Sequence, residues 1–158
     1  MAIHKIQIND FISIDYELIA IHSSLEDYRL AYFINKALAI RLNKNETNIE
    51  IETKEGRGAF SHFVFDDEIH DIIWNVFENK ATAITSEKNT NGIFDSIDIT
   101  MYVLPEHKKA DYILKIENIE TCFFPLEEIL QKLSKIEQIA MVYPINQNKL
   151  KSKNNLIF

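Results

Sequence analysis

At 158 residues the chain has the size of one domain, and a single core is expected. A net charge of −7 argues against a general nucleic-acid-binding surface. A single cysteine, Cys122, rules out an intramolecular disulfide framework and fits a reducing compartment.

Hydrophobic residues make up 46% of the chain and charged residues 26%, with ten Phe and six Tyr to fill a core, so folding needs no metal or disulfide. Three Gly and three Pro leave little room for flexible linkers. The start, Met1 to Ile8, alternates polar and apolar residues and lacks the apolar run of a signal peptide. No stretch approaches the ~20 apolar residues of a membrane-spanning helix. A cytoplasmic protein that makes no use of membrane is expected. Charge is uneven: 12 basic and 21 acidic residues through Glu120 give −9, and 5 basic and 3 acidic from Thr121 onward give +2.

In chain order, strands are predicted at Ile3–Ile8 and Glu17–His22, where Leu18, Ala20 and His22 oppose Ile19 and Ile21. Ser24 is an N-cap candidate for a helix over Leu25–Arg41, with Glu26 and Asp27 at its positive end. Strands follow at Asn48–Thr53 and Ala59–Phe65, joined by the glycine-punctuated turn Lys54 to Gly58. A turn at Asp66-Asp67-Glu68 leads to a strand at Ile72–Glu78, and Ser86–Gly92 ends in the turn dipeptide Asn91-Gly92. Strands at Ile97–Leu104 and Asp111–Glu117 bracket a loop that begins with Pro105. Pro125 opens a helix over Leu126–Gln138, and Ile139–Tyr143 is the last strand. The order predicts an α+β fold, an antiparallel-dominated sheet with two principal helices on one face. Its closing β-α-β segment makes it partly a ferredoxin-like two-layer sandwich. Residues 1–145 form the body, and 146–158 form a basic and apolar segment of the same domain.

The second helix gathers Leu126, Ile129, Leu130, Leu133 and Ile136 in one arc and so covers a sheet. The first is apolar on two sides, one with Leu30, Phe33, Ile34, Ala37 and Leu38, the other with Leu25, Tyr28, Tyr32 and Ala39. Something beyond the sheet should cover the second side, with a second copy of the chain as first candidate.

Leu104-Pro105-Glu106-His107-Lys108-Lys109-Ala110-Asp111-Tyr112 resembles the signature of the bacterial IPExxxVDY family. Pro105, Glu106, Asp111 and Tyr112 match the named positions, while Leu104 and Ala110 replace Ile and Val. The stretches from His22 to Tyr32 and from Lys149 to Phe158 are similar to members of that family too. The family carries no established activity, so the resemblance implies kinship and no catalytic or cofactor residue. Physically, Glu106 and Asp111 could bind a ligand or satisfy backbone donors of the turn.

Four constellations could carry chemistry. His62, Asp66, Asp67, Glu68, His70 and Asp71 are metal-ligand types at short spacing, but if Phe65 pairs with His70 the two imidazoles face apart. His22-Ser23-Ser24 at a helix start could present a nucleophile, though capping explains it and Glu26 and Asp27 repel an anion. Gly56-Arg57-Gly58 is too short for a phosphate loop. Lys149, Lys151 and Lys153 precede the apolar Leu156-Ile157-Phe158, so that lysines could meet an acidic partner or RNA while the apolar end docks.

No constellation places nucleophile, base and stabiliser together, so no catalytic, cofactor or metal residue is assigned and no enzyme is expected. The expected function is a protein-interaction or assembly factor, possible homodimer included, with Tyr28, Tyr32, Lys149, Lys151, Lys153, Leu156, Ile157 and Phe158 as its surface. A small-molecule-sensing regulatory domain of the ACT type, or an RNA- or ribosome-associated factor contacting nucleic acid through the basic tail, are the alternatives.

Overall fold

The computed structural model describes residues 16–85, 97–119 and 125–158. The expected strand Ile3–Ile8, the turn Ser86–Gly92 and Cys122 lie outside them. Four consecutive residues set the architecture. Leu18, Ile19, Ala20 and Ile21 of strand β1 (Tyr16–Ser23) are all buried, although successive side chains of a strand point to opposite faces. Both faces of the sheet around β1 are therefore covered.

The chain continues through α1 (Asp27–Leu38), β2 (Asn43–Lys44), β3 (Ile49–Thr53), β4 (Gly56–Phe60), β5 (His62–Asp67) and β6 (Ile72–Glu78). Then come β7 (Lys80–Thr85), β8 (Ile97–Tyr102), a 3₁₀ turn at Pro105–His107, β9 (Tyr112–Glu117), α2 (Leu126–Ser134) and β10 (Ile139–Pro144). The main sheet has the order β10-β1-β9-β6-β5-β2 and is antiparallel at every pairing. β9 separates β1 from β6, and β1 separates β9 from β10. The units β1-α1-β6 and β9-α2-β10 are thus two interlocked split β-α-β motifs, the ferredoxin-like plan. The predicted α+β class and its antiparallel sheet are present. The hairpins β3–β4 and β7–β8 are insertions into that plan.

One face of the sheet carries the helices. Leu30, Ala31 and Ile34 of α1 and Ile129 and Leu133 of α2 pack on Ile19, Ile21, Trp74, Val76, Leu114 and Ile116. On the other face, Ile49, Phe60, Ala83, Met101, Leu150 and Leu156 pack on Leu18, Ala20, Phe77 and Ile113. The helix-on-sheet sandwich thus gains a further layer, built from both hairpins and segment 146–158. Among the described residues no helix is long and apolar enough to cross a membrane.

Differences from the predicted elements have local causes. The strand expected over Ala59–Phe65 is two strands, because the chain changes layer at Ser61. There the Ser61 N–H donates to the Glu78 carboxylate at 3.1 Å and the Ser61 carbonyl accepts from the Glu78 N–H at 3.0 Å. The β3–β4 turn is Lys54-Glu55, since Thr53 pairs with Gly56. No described glycine has positive φ; Gly58 instead admits a close neighbour, because a Cβ there would lie 3.1 Å from the Phe60 ring and 3.3 Å from Met101 Cβ. Helix α2 stops at Ser134, where Ser134 Oγ donates to the Gln131 carbonyl.

Helix α1 is shorter than predicted at both ends. Glu26, without a side-chain cap bond, is its N-cap in place of Ser24. At the other end Ala39 turns left-handed (φ 55°), and Asn35 bridges to Leu42 with bonds of 2.7 and 3.1 Å. A left-handed alanine costs about 1–2 kcal/mol that glycine avoids, partly offset by the greater freedom of unfolded glycine. Ala39→Gly should raise unfolding free energy by about 0.5–1 kcal/mol in urea titration. A lowered midpoint would contradict the left-handed cap.

Candidate functional site

The signature loop is tied from inside by Asn79, which is fully buried. Its Oδ1 accepts from the Leu104 N–H at 2.8 Å, and its Nδ2 donates to the carbonyls of His107 (2.8 Å) and Ala110 (3.1 Å). Pro105 starts the 3₁₀ turn, while Leu104 and Ala110 are buried. The Glu106 carboxylate then reaches segment 146–158. Its Oε1 accepts from the N–H groups of Lys151 (2.6 Å) and Ser152 (2.9 Å), and its Oε2 from the Ser152 hydroxyl (2.6 Å). Partial burial alone would raise the Glu106 pKa, but bonds from the Ser152 hydroxyl and from backbone N–H groups pull it down to about 2.

Asp111 faces the other way. Its Oδ2 accepts from the Ser23 N–H at 2.9 Å and its Oδ1 pairs with Lys80 Nζ at 2.7 Å. The Tyr112 hydroxyl donates to the Leu25 carbonyl at 2.6 Å, and burial, with the carboxylates of Glu78 and Asp27 nearby, raises its pKa above the ordinary tyrosine value. The two carboxylates do satisfy backbone donors, but the bonds reach Ser23, Lys151 and Ser152, far along the chain, and so differ from the turn-local bonds expected.

Beneath segment 146–158 runs a chain of buried and half-buried polar groups that periodicity did not reveal. Lys115 Nζ donates to the Leu156 carbonyl and pairs with Glu117 Oε1, both at 2.9 Å. Its charge also lies 5.2 Å from the Tyr16 ring centre and 4.8 Å from that of Phe158. Glu117 accepts from Asn75 Nδ2 at 3.0 Å, and Asn75 Oδ1 meets His62 Nε2 at 2.9 Å. Asn45 Nδ2 lies 3.0 Å from His62 Nδ1. The Asn45 amide can only donate, so the His62 proton belongs on Nε2. Burial lowers the His62 pKa and so favours the neutral ring, against the opposing effect of the bond to Asn75. The sequence signal was a lysine within Tyr112-Ile113-Leu114-Lys115-Ile116, a run apolar on both faces, where a charge needs partners.

The metal-type residues stay apart. The β5–β6 hairpin pairs Phe65 with Trp74, not with His70, because its turn spans residues 68–71. His70 sits in that turn with Nδ1 2.7 Å from Asp67 Oδ2, while His62 is buried. Among the described residues no group of three His, Cys, Asp or Glu converges. At the β1–α1 junction the Ser23 hydroxyl donates to the Gln138 carbonyl and accepts from the Leu25 N–H, so it is engaged in structure.

The residues expected to form one interaction surface divide between two layers. Tyr28 and Tyr32, on the outer side of α1, are 60% and 62% exposed. With Arg29 and Phe33 they line an open cleft of about 470 Å³. Leu25, from the same predicted side, packs partly against the core. Segment 146–158 lies across the sheet and does not cover these tyrosines. In that segment Lys149 and Lys151 are exposed, Lys153 is half-buried, and Leu156 is in the core. Ile157 is 82% exposed. Phe158 is 48% exposed, with its ring edge-on to His62 and Phe77 at 4.9 and 5.4 Å.

Fold and loop together define an α+β protein with a ferredoxin-like core closed by an added β layer. Comparison with protein-family models, curated proteins and solved structures finds no match.

The Glu106 contacts carry a pH signature. Its pKa is about 2 when folded against 4.5 ordinarily, so the stabilisation is complete above about pH 4.5 and lost as pH falls toward 2. The stability gap between the native chain and Glu106→Gln should be widest near neutrality and close through this window in urea titrations. A gap independent of pH would show that the carboxylate does not hold the segment.

Proposed function

We propose that the protein is a non-enzymatic interaction or assembly factor of the cytoplasm that docks a protein partner through the outer face of α1. One observation carries this: Tyr28 and Tyr32, a helical turn apart, are both more than half exposed on a helix whose opposite side is core. Tyrosine and arginine are the residue types that concentrate binding energy at interface centres, and Arg29 stands between these two. The partner presents an apolar side chain to the cleft and a carboxylate to Arg29. We also propose kinship with the IPExxxVDY family, supported by the match of Pro105, Glu106, Asp111 and Tyr112 to its named positions. A small-molecule-sensing domain is the second reading, favoured by the ferredoxin-like plan alone.

A photo-crosslinking side chain at position 26, beside the cleft, should trap one discrete protein in the native cell. Tyr28→Ser with Tyr32→Ser should abolish that adduct while changing stability by less than about 0.5 kcal/mol, as expected of exposed positions. An adduct that survives the double substitution, or one made of RNA, would overturn the reading. A small molecule retained by the purified protein, with no adduct, would favour the sensing domain.

A further inference from the structure

Beyond the tyrosine cleft, the helix layer carries a second depression of different chemistry. Phe33, Ala37 and Ile136 form its apolar floor, and Lys36, Lys132 and Lys135 stand at its rim, around a volume of about 480 Å³. Among the described residues Glu137 is the acid in its lining, and Lys132 shares its charge with Glu128 at 2.8 Å. Such a cationic groove stands out on a chain of net charge −7.

Its complement is on the same chain. The end of β5 and the turn that follows carry the exposed Asp66, Glu68 and Asp71 about Ile69, which is 88% exposed, while the Asp67 carboxylate is taken up by His70. The turn is an ordered knob. The His70 N–H donates to the Asp67 carbonyl at 3.2 Å and the ring nitrogen bonds the Asp67 carboxylate, while Asp71 is held left-handed at φ 57°. A branched apolar tip flanked by carboxylates complements, in polarity and in sign, an apolar floor rimmed by ammonium groups.

We propose that this groove receives the Asp66–Asp71 turn of a second copy of the chain, with Ile69 on the Phe33–Ala37–Ile136 floor and the acids against the lysines. The contact is heterologous, so each copy offers a knob and a groove, and association proceeds to a ring or an open chain. It builds on the reading of the helix layer as a binding layer and adds an occupant for its other half. Phe33 belongs to both depressions, so self-association and partner docking are neighbours on one surface.

The test is a charge swap read by sedimentation velocity. The native chain should associate with rising concentration, more weakly at high salt. A groove variant, Lys36→Glu with Lys132→Glu and Lys135→Glu, should associate at least tenfold more weakly. A knob variant, Glu68→Lys with Asp71→Lys, should do the same. All these positions are exposed, and circular dichroism confirms folding. Mixed together, the two variants should associate again, because the acidic groove of one meets the basic knob of the other. A native chain that stays monomeric at every concentration, or a mixture that stays as dissociated as its components, would overturn the proposal. The Tyr28 and Tyr32 adduct is measured separately and would survive that failure.

Discussion

The strands β1, β9 and β6 are buried on both faces, and that constraint organises the rest of the molecule. A sheet covered only by two helices would leave Leu18, Ala20, Phe77 and Ile113 in water, a loss of about 1.5–3 kcal/mol for each large side chain. The β3–β4 and β7–β8 hairpins and segment 146–158 supply the missing cover. Lys115 shows how fully the second face is closed, since its ammonium ends among Glu117, the Leu156 carbonyl and two aromatic rings. Buried charges persist only when so surrounded.

Closing the fold is also the work of the signature loop. Glu106 holds segment 146–158, Asp111 holds the entry to α1, Tyr112 bonds Leu25, and Asn79 shapes the loop between them. The two carboxylates therefore pull on opposite layers from one short connection. With Glu106 and Asp111 bonded to backbone N–H groups of two different layers, the loop is a fastener.

The sequence revealed elements wherever local pattern and tertiary packing agree. The alternation around Leu18–Ile21, the hairpin before Phe60, the strand Ile72–Glu78 and the two helices are of this kind. It did not reveal the break at Ser61, because that break depends on Glu78, distant in sequence. The strand β7 also escaped, because Lys80-Ala81-Thr82-Ala83-Ile84-Thr85 offers a single large apolar residue, Ile84, to mark a buried face. The helical wheel of α1 marked Tyr28 and Tyr32 as apolar and in need of cover, and both are more than half exposed among the described residues. Asn75, Asn79 and Lys115 went unread because buried polar residues within or beside strands reveal their partners only in three dimensions.

The account turns on segment 146–158 being a layer of the fold and not a tail. Deleting residues 156–158 tests this most directly, by urea unfolding combined with hydrogen exchange of the β9 amides. Loss of Leu156 from the core should cost about 2–5 kcal/mol, the range for large apolar side chains removed from packed interiors. Lys115 would also lose its carbonyl acceptor, and protection at Ile113 and Lys115 should fall with the unfolding midpoint. A shortened chain with the native midpoint and native protection of β9 would contradict the account.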